Sequence, residues 1–454
     1  MNSGLNDNNP VLVAAFRAAL LHQGLIVLLI FAVLAVAWVS AREWLRPGKA
    51  ASPASAEPAW RQLLRIGFGA LWIIDGLLQA QPAMAAGLPS QVIEPTAASS
   101  PSWVQHIVNW AGTAWSYHPI QAGAAVVWIQ IGIGVWLITA ARGSWSRLAG
   151  LASVAWGLVV WVFGESLGGI FAPGLTWLFG APGAAAFYCA AGVLIALPER
   201  SWATARIGRT ILAAAGAFFI GMAVLQAWPG RGFWPGTRHG QRGTLASMVH
   251  AMASTPQPSL LAGWVRGFGS FTAANGFAVN LFAVIALAAI GTALVTVAAG
   301  RGPAWLGRAM LIATIALCLA DWVLVEDFGF FGGLGTDPNS MIPMILVLVA
   351  GYLALTRAPA PAAEPAQGPA RPGLSWQQLR PARLVRAFGA ASTRAVLAGW
   401  AVAIIVLGAA PLALAPAPAP AAEPATAQPT AEPAAAELVT TGTGPAWRPV
   451  PCPW

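Results

Sequence analysis

Two glutamates lie in apolar segments of the sequence and have closely similar surroundings. Glu165 belongs to WVFGESLGGIFAPG (161–174) and Glu326 to WVLVEDFGFFGGLG (322–335). Each follows a tryptophan by four residues and is followed by glycines. A carboxyl group among apolar residues must be protonated, paired or exposed to water, because an isolated charge is costly to bury. Such groups can exchange protons or bind a cation, so both residues are candidates for function.

Three further polar residues fall inside apolar segments, namely Asp75, Gln79 and Asp321. Asp75 and Gln79 are four residues apart and therefore share one face of a helix. At about 1.5 Å of rise per residue, Asp75 lies about 15 Å beyond Arg65, near the middle of a bilayer. Asp321 lies about 20 Å beyond Arg308. These carboxyl groups either take part in function or hold helices together, and the sequence leaves both interpretations open.

The two glutamates are expected nearer to the membrane boundary. Glu165 follows Arg147, and Glu326 follows Arg308, by the same interval along the chain. That interval corresponds to about 27 Å of helix, close to the thickness of the hydrocarbon core. The glutamates could therefore cap the outer turns of helices as well as serve a site.

One short segment, expected on the outer face of the membrane, could bind a metal. MVHAM contains Met248, His250 and Met252, and thioether and imidazole ligands suit Cu(I). In an extended strand all three side chains would point to one side, whereas in a helix only the two methionines would align. Copper is therefore a candidate cofactor at this segment.

The composition indicates a membrane protein. The chain has 454 residues, of which 57% are hydrophobic and only 9% charged, and its mean hydropathy is +0.66. A soluble domain has about 25% charged residues. The net charge of +9 does not indicate nucleic-acid binding, because no basic run with interleaved aromatics is present. The scattered cysteines argue against a thiol relay, and the sequence lacks paired intramembrane histidines for haem.

The expected fold is all-α: a polytopic membrane protein with about ten transmembrane helices. The apolar segments are 15–39, 66–86, 120–141, 148–168, 183–198, 209–228, 276–299, 309–328, 341–356 and 395–415. Most of the 24 basic residues follow the odd-numbered segments, which places those connections in the cytoplasm and both termini outside it. Heavy use of Ala, Pro and Arg is typical of GC-rich bacteria, so the bacterial cytoplasmic membrane is the expected location.

Matched landmarks predict two parallel four-helix repeats, with an extra helix at each end. LQAQP (78–82) and LQAWP (225–229) end corresponding helices, and the two glutamate segments follow at corresponding places. The predicted organisation is a first helix and basic loop at 1–61, repeats at 62–200 and 205–357, a Pro/Ala-rich linker at 358–394, a last helix at 395–415 and an outer tail at 416–454. Parallel repeats commonly place a site between them. Residues 101–118 are expected to form an interfacial helix.

The opening of the first repeat, RIGFGALWIIDGLLQ (65–79), with its leading arginine, resembles the DoxX/DoxD-like membrane proteins. The resemblance implies a four-helix unit and a redox-associated membrane subunit that works with quinone and a respiratory or outer-face protein partner. It assigns no catalytic residue, and no enzyme motif is found elsewhere in the sequence. Two alternatives stay open: a transporter or ion-handling protein that uses the intramembrane carboxyl groups for protons or a cation, and a membrane scaffold.

Overall fold

The structure, a computed structural model, describes residues 9–41, 57–202, 204–255, 257–331 and 334–356. Its α-helices are α1 (Pro10–Ala41), α2 (Ala59–Gln79), α3 (Pro82–Gly87), α4 (Glu94–Ala97), α5 (Ser102–Tyr117), α6 (Pro119–Thr139), α7 (Gly143–Val159), α8 (Ala184–Ala196), α9 (Ala205–Ala227), α10 (Thr244–Ala253), α11 (Ser259–Ala298), α12 (Ala304–Leu324) and α13 (Met341–Thr356). The only strands in the described ranges form a small hairpin, β1 (Thr237–Arg238) with β2 (Gln241–Arg242). The all-α fold class is confirmed.

Six helices in the described part of the chain are long and apolar enough to cross a membrane. They are Pro10–Leu34, Pro119–Thr139, Gly143–Gly164, Ala205–Ala227, Ser259–Ala298 and Trp305–Leu324. A bent pair, Ala59–Gln79 with Pro82–Ala97, would make a seventh. Large apolar side chains on α1, such as Leu21, Leu25 and Leu28, are exposed, as contact with lipid requires. The architecture is that of a membrane-embedded helical protein.

The count of ten spans stays a prediction. The segment predicted at 395–415, together with the linker and the tail, lies outside the described residues. The fifth and ninth predicted spans form α8 and α13, of 13 and 16 residues, which are short for a complete crossing. Each follows a non-helical turn packed inside the bundle. Such backbone is tolerated at membrane depth only where protein or a cavity surrounds it.

Two predicted spans have different limits in the structure. The span predicted at 66–86 ends at Gln79, and the chain then bends by 80° into α3. The break lies at Gln81, whose backbone is extended, because a residue before proline disfavours the helical conformation. The span predicted at 276–299 belongs to the 40-residue α11, which begins at Ser259 and is kinked at Asn275.

Glycine pairs bring the main helices into close contact. At the crossing of α2 and α6, a Cβ added to Gly134 would lie 2.5 Å from the carbonyl oxygen of Gly69. At the crossing of α9 and α11, a Cβ on Gly216 would lie 2.7 Å from the Gly291 oxygen. α7 and α8 meet in the same way at a third glycine pair. Small residues are favoured at such crossings because van der Waals packing drives helix association in lipid.

Two arginines at the start of α2 join the ends of three other helices. Arg61 donates hydrogen bonds to the Ala141 oxygen, the Ile195 oxygen and the hydroxyl of Ser146. Arg65 donates to the oxygens of Leu137 and Ile138. Helices leave their last carbonyl groups without internal partners, and these arginines supply donors for α6 and α8. Glu57 lies against both guanidinium groups and pairs with their charges.

Replacing Gly134 with alanine should loosen the α2–α6 contact. The new methyl group would overlap the Gly69 carbonyl oxygen, and overpacking of this kind costs about 1–3 kcal/mol. Thermal unfolding of the purified protein in detergent should show a lower Tm. Gly221→Ala is the matched control, because nothing lies within 4 Å of the position of its Cβ. Equal Tm values for the two variants would contradict the close contact.

Candidate functional site

A cavity of about 260 Å³ lies where α2, α6 and α8 meet the segments that follow α7 and α12. We call it the acidic cavity. Its polar lining side chains include Asp75, Gln79, Gln130, Glu165, Tyr188, Glu326 and Asp337. Tryptophans and phenylalanines form much of the rest of the wall, and no lining residue is basic. Four of the five predicted polar candidates line this cavity; Asp321 does not.

One wall carries polar groups from three helices. Asp75 and Gln79 come from α2, Gln130 from α6 and Tyr188 from α8, and the side chains are at most 6% exposed. Gly76 lets α2 approach the backbone of α6, which brings these side chains to one place. The Tyr188 hydroxyl lies within hydrogen-bonding reach of the Asp75 carboxyl group, although neither the hydroxyl nor Asp75 Oδ1 makes a hydrogen bond of good geometry.

Several acceptor atoms on this wall have no hydrogen-bond partner. They are Asp75 Oδ1, Gln79 Oε1 and Gln130 Oε1. Buried polar atoms are normally hydrogen-bonded, and an unmade bond costs about 1–3 kcal/mol. Unpartnered acceptors that line a cavity are therefore the groups a ligand would engage.

Glu165 caps the first turn of α8. Both carboxylate oxygens accept a hydrogen bond from the Ala185 amide, at 3.0 and 3.3 Å. Gly183 has a φ of +94°, and a Cβ there would lie 2.1 Å from Glu165 Oε2, so only glycine fits beside this carboxylate. The Trp161 indole donates to the Pro182 oxygen and ties the end of the preceding π-helical turn, Val160–Gly164, to the start of α8.

Glu326 is held in the same way at the start of α13. Its Oε2 accepts from the Met341 amide at 3.4 Å, and the Trp322 indole donates to the Pro338 oxygen at 2.8 Å. The two residues that follow each glutamate have positive φ values. Each glutamate thus caps the helix that follows it, and both also line the acidic cavity.

The glutamates lie just beyond the ends of their spans, and burial raises the pKa of both. Burial raises the pKa of Glu165 to about 8, and the nearby Asp337 adds to the increase, while the helix amides oppose it. Burial also raises the pKa of Glu326 to about 8, again with a contribution from Asp337 and against the Met341 amide. Burial raises the pKa of Asp337 itself, although Thr336 and Asn339 donate hydrogen bonds to it. All three carboxyl groups therefore bind protons more tightly than they would in water.

Asp321 lies outside the lining but close to Glu326. It is 4% exposed, and neither carboxyl oxygen has a hydrogen-bond partner. Its carboxyl and that of Glu326 repel each other when both are charged. Asp321 therefore does not line the cavity, but it interacts with Glu326, which does.

The segment that suggested copper is helical. Met248, His250 and Met252 lie in α10, so the alignment of a strand is absent. Met252 is buried against Phe179 and Phe233, whereas His250 is exposed. Within the described residues no group of three His, Cys, Asp or Glu side chains could hold a metal. The copper hypothesis loses the geometry on which it rested.

Sequence reasoning missed three polar residues of the cavity. Gln130 lies in the middle of the apolar α6, away from Gln121 and Thr139 near its ends, and Tyr188 lies within the apolar α8. Asp337 belongs to GTDPNS, which reads as an ordinary turn. The isolated polar residue within an apolar helix was the available signal for Gln130 and Tyr188.

Comparison of the chain with protein-family models, curated proteins and solved structures gave no match. The resemblance to DoxX-like proteins therefore stays a prediction.

Asp327, next to Glu326, is a buried carboxyl group without partners. It is fully buried, neither oxygen has a hydrogen-bond partner, and its φ is +52°. Burial raises its pKa from 3.8 to about 6. Because the folded state then binds more protons than the unfolded state, the free energy of unfolding falls as the pH rises from about 4 to about 6.

Asp327→Asn should remove this pH dependence. Asparagine tolerates the left-handed backbone and cannot ionise. We expect no stabilisation relative to wild type near pH 4 and a stabilisation of at most about 3 kcal/mol above pH 6, since one pKa unit corresponds to about 1.4 kcal/mol. Thermal unfolding in detergent across this range measures the difference. A gap in Tm that does not change with pH would refute the assignment.

Proposed function

We propose that the protein is an ion-handling membrane protein that exchanges protons for a cation in the acidic cavity. The observation that supports this best is the set of four carboxyl side chains, Asp75, Glu165, Glu326 and Asp337, around one cavity without a basic lining residue. Carboxyl groups that lose their protons in such a cavity repel anions and attract cations.

Protons and the cation compete for the same carboxyl groups. Without a cation, burial and repulsion by Asp337 favour the protonated form of Glu165 and Glu326 near pH 7, since the pKa of each is about 8. A bound cation favours the carboxylate form, so a carboxyl group releases its proton as the cation binds. Affinity for the cation should therefore increase as the pH rises through about 8, where proton competition ends.

We also propose that the cavity lies between two duplicated units, 62–200 and 205–357. Three features support this organisation: the glycine crossings of α2 with α6 and α9 with α11, the pair of capping glutamates, and the pair of tryptophan-to-proline hydrogen bonds. Glu165 and Asp75 would come from one unit and Glu326 and Asp337 from the other. Parallel repeats in transporters place sites in this manner.

Proteoliposomes that contain the full-length protein and an internal pH dye test the exchange. We expect external cations from a panel of sodium, potassium and organic ammonium ions to drive proton efflux from acid-loaded vesicles. Asp75→Asn and Glu165→Gln should each slow this efflux at least about tenfold, a loss of about 1.4 kcal/mol. Glutamine at 165 can still accept from the Ala185 amide, so the cap is kept.

Glu94→Gln is the matched control, because Glu94 is an exposed carboxylate that does not line the cavity. Its efflux should equal that of wild type. The proposal fails if no cation drives efflux above that of empty vesicles, or if the Asp75 and Glu165 variants match wild type.

A quinone-linked subunit is the second candidate. The indole nitrogen of Trp156 is a donor without a partner, the hydroxyl of Tyr188 makes no hydrogen bond of good geometry, and both residues line the cavity. They could donate to the carbonyl groups of a quinone ring stacked on the aromatic wall. Organic extraction of the purified protein, followed by chromatography, should then yield about one quinone per chain. Extracts without quinone would leave the cation proposal alone.

A further inference from the structure

We infer that the cation is a small primary ammonium ion attached to an apolar or aromatic group. This inference rests on the proposed function for the positive charge of the ligand, and it adds the chemical class. Three observations lead to it: the unpartnered acceptors, the aromatic wall, and the absence of a chelating cluster in the described part of the chain.

The unpartnered acceptors call for a ligand that donates hydrogen bonds. Asp75 Oδ1, Gln79 Oε1 and Gln130 Oε1 are buried acceptor atoms without donors. An alkylammonium group carries several N–H donors and no acceptor. Asp75 is the main contact for the ammonium group. Rotation of the Gln79 or Gln130 amide could replace its acceptor oxygen with an NH2 donor, whereas both oxygens of a carboxylate accept hydrogen bonds. A quaternary ammonium ion has no N–H group and would leave all three acceptors unsatisfied, and a quinone would offer them only further acceptors.

The aromatic wall suits the remainder of such a ligand. Rings from Trp72, Trp115, Trp156, Phe163 and Phe179 line the same cavity as the acceptors. The Trp72 indole donates a hydrogen bond to the Ser153 hydroxyl. Its ring also packs edge-on against the Tyr188 ring, with 4.5 Å between the ring centres. Aromatic faces attract a cation within about 6 Å and also bury apolar groups.

A bare metal ion fits the cavity less well. Calcium takes six to eight oxygen ligands at about 2.3–2.6 Å, and among the described residues no three carboxyl, imidazole or thiol side chains are grouped closely enough to hold a metal. The volume of about 260 Å³ also exceeds the space that a single ion fills. It lies just below the range of about 300–1,000 Å³ typical of drug-sized ligands, which indicates a small organic molecule.

Three probes that share one ring separate these properties. Benzylammonium has the charge and the N–H donors, benzyltrimethylammonium has the charge without donors, and benzyl alcohol has a donor without charge. Isothermal titration calorimetry of the full-length protein in nanodiscs, corrected for partition into empty nanodiscs, gives the affinity of each. We expect benzylammonium to bind at least about tenfold more tightly than either of the other two.

Two variants test the residues. Asp75→Asn should weaken benzylammonium binding at least about tenfold, and Gln130→Leu, which leaves every charge in place, should weaken it at least about threefold. Glu94→Gln should bind as wild type does. Size-exclusion chromatography verifies folding, and Gln130→Leu keeps the test valid if Asp75→Asn does not fold.

The inference is overturned if benzyltrimethylammonium binds as tightly as benzylammonium. It is also overturned if Asp75→Asn and Gln130→Leu both bind benzylammonium as wild type does. The proposed exchange can still stand in that case, if inorganic or quaternary cations drive proton efflux and benzylammonium does not. Conversely, selective and Asp75-dependent binding of benzylammonium without any cation-driven efflux supports this ligand class and rejects exchange. The two failures are therefore distinguishable.

Discussion

A carboxyl group that leaves water for an apolar interior loses solvation that few partners can replace, and this cost governs the centre of the molecule. Asp75, Glu165, Glu326 and Asp337 line one cavity, and none of the described residues in its lining is basic. The group can stay there only by holding a proton, by accepting hydrogen bonds or by binding a positive ligand. Glu165 and Glu326 do the first two at once, since each accepts from a helix amide while its pKa is raised.

The two arginines at the start of α2 are buried charges that, unlike the carboxyl groups of the cavity, have partners of opposite charge. Arg61 and Arg65 are buried too, but Glu57 and backbone carbonyl groups accept from their guanidinium nitrogens, apart from Arg61 Nε, which has no partner. The Arg61 guanidinium also lies 4.0 Å from the centre of the Trp202 ring. This end is a closed cluster that joins helices, whereas the cavity keeps acceptors open. The contrast supports assigning a binding role to the cavity and a structural one to the arginines.

The LQA segments at the ends of α2 and α9 are alike in sequence but differ in their contacts. Gln79 and Gln226 occupy the matched LQA segments, yet their surroundings differ. Gln226 accepts from Thr176 and donates to Asn280, so its amide belongs to a satisfied network. The Gln79 oxygen faces the cavity without a partner. The glutamine of the LQA segment therefore holds other side chains in place at position 226, whereas at position 79 its oxygen is left without a partner.

Composition and apolar periodicity were enough to predict a helical membrane protein, and isolated carboxyl groups in apolar runs were enough to nominate Asp75, Glu165, Asp321 and Glu326. These features are local, because burying a charge is costly wherever the segment packs. Only the tertiary structure showed that Asp75, Glu165 and Glu326 share a cavity with Gln130, Tyr188 and Asp337. It also showed that Asp321 is not among the lining residues and that the MVHAM segment is helical. Those outcomes depend on glycine crossings, on the bend before Pro82 and on the turns with positive φ, which bring distant residues together through contacts that no single segment encodes.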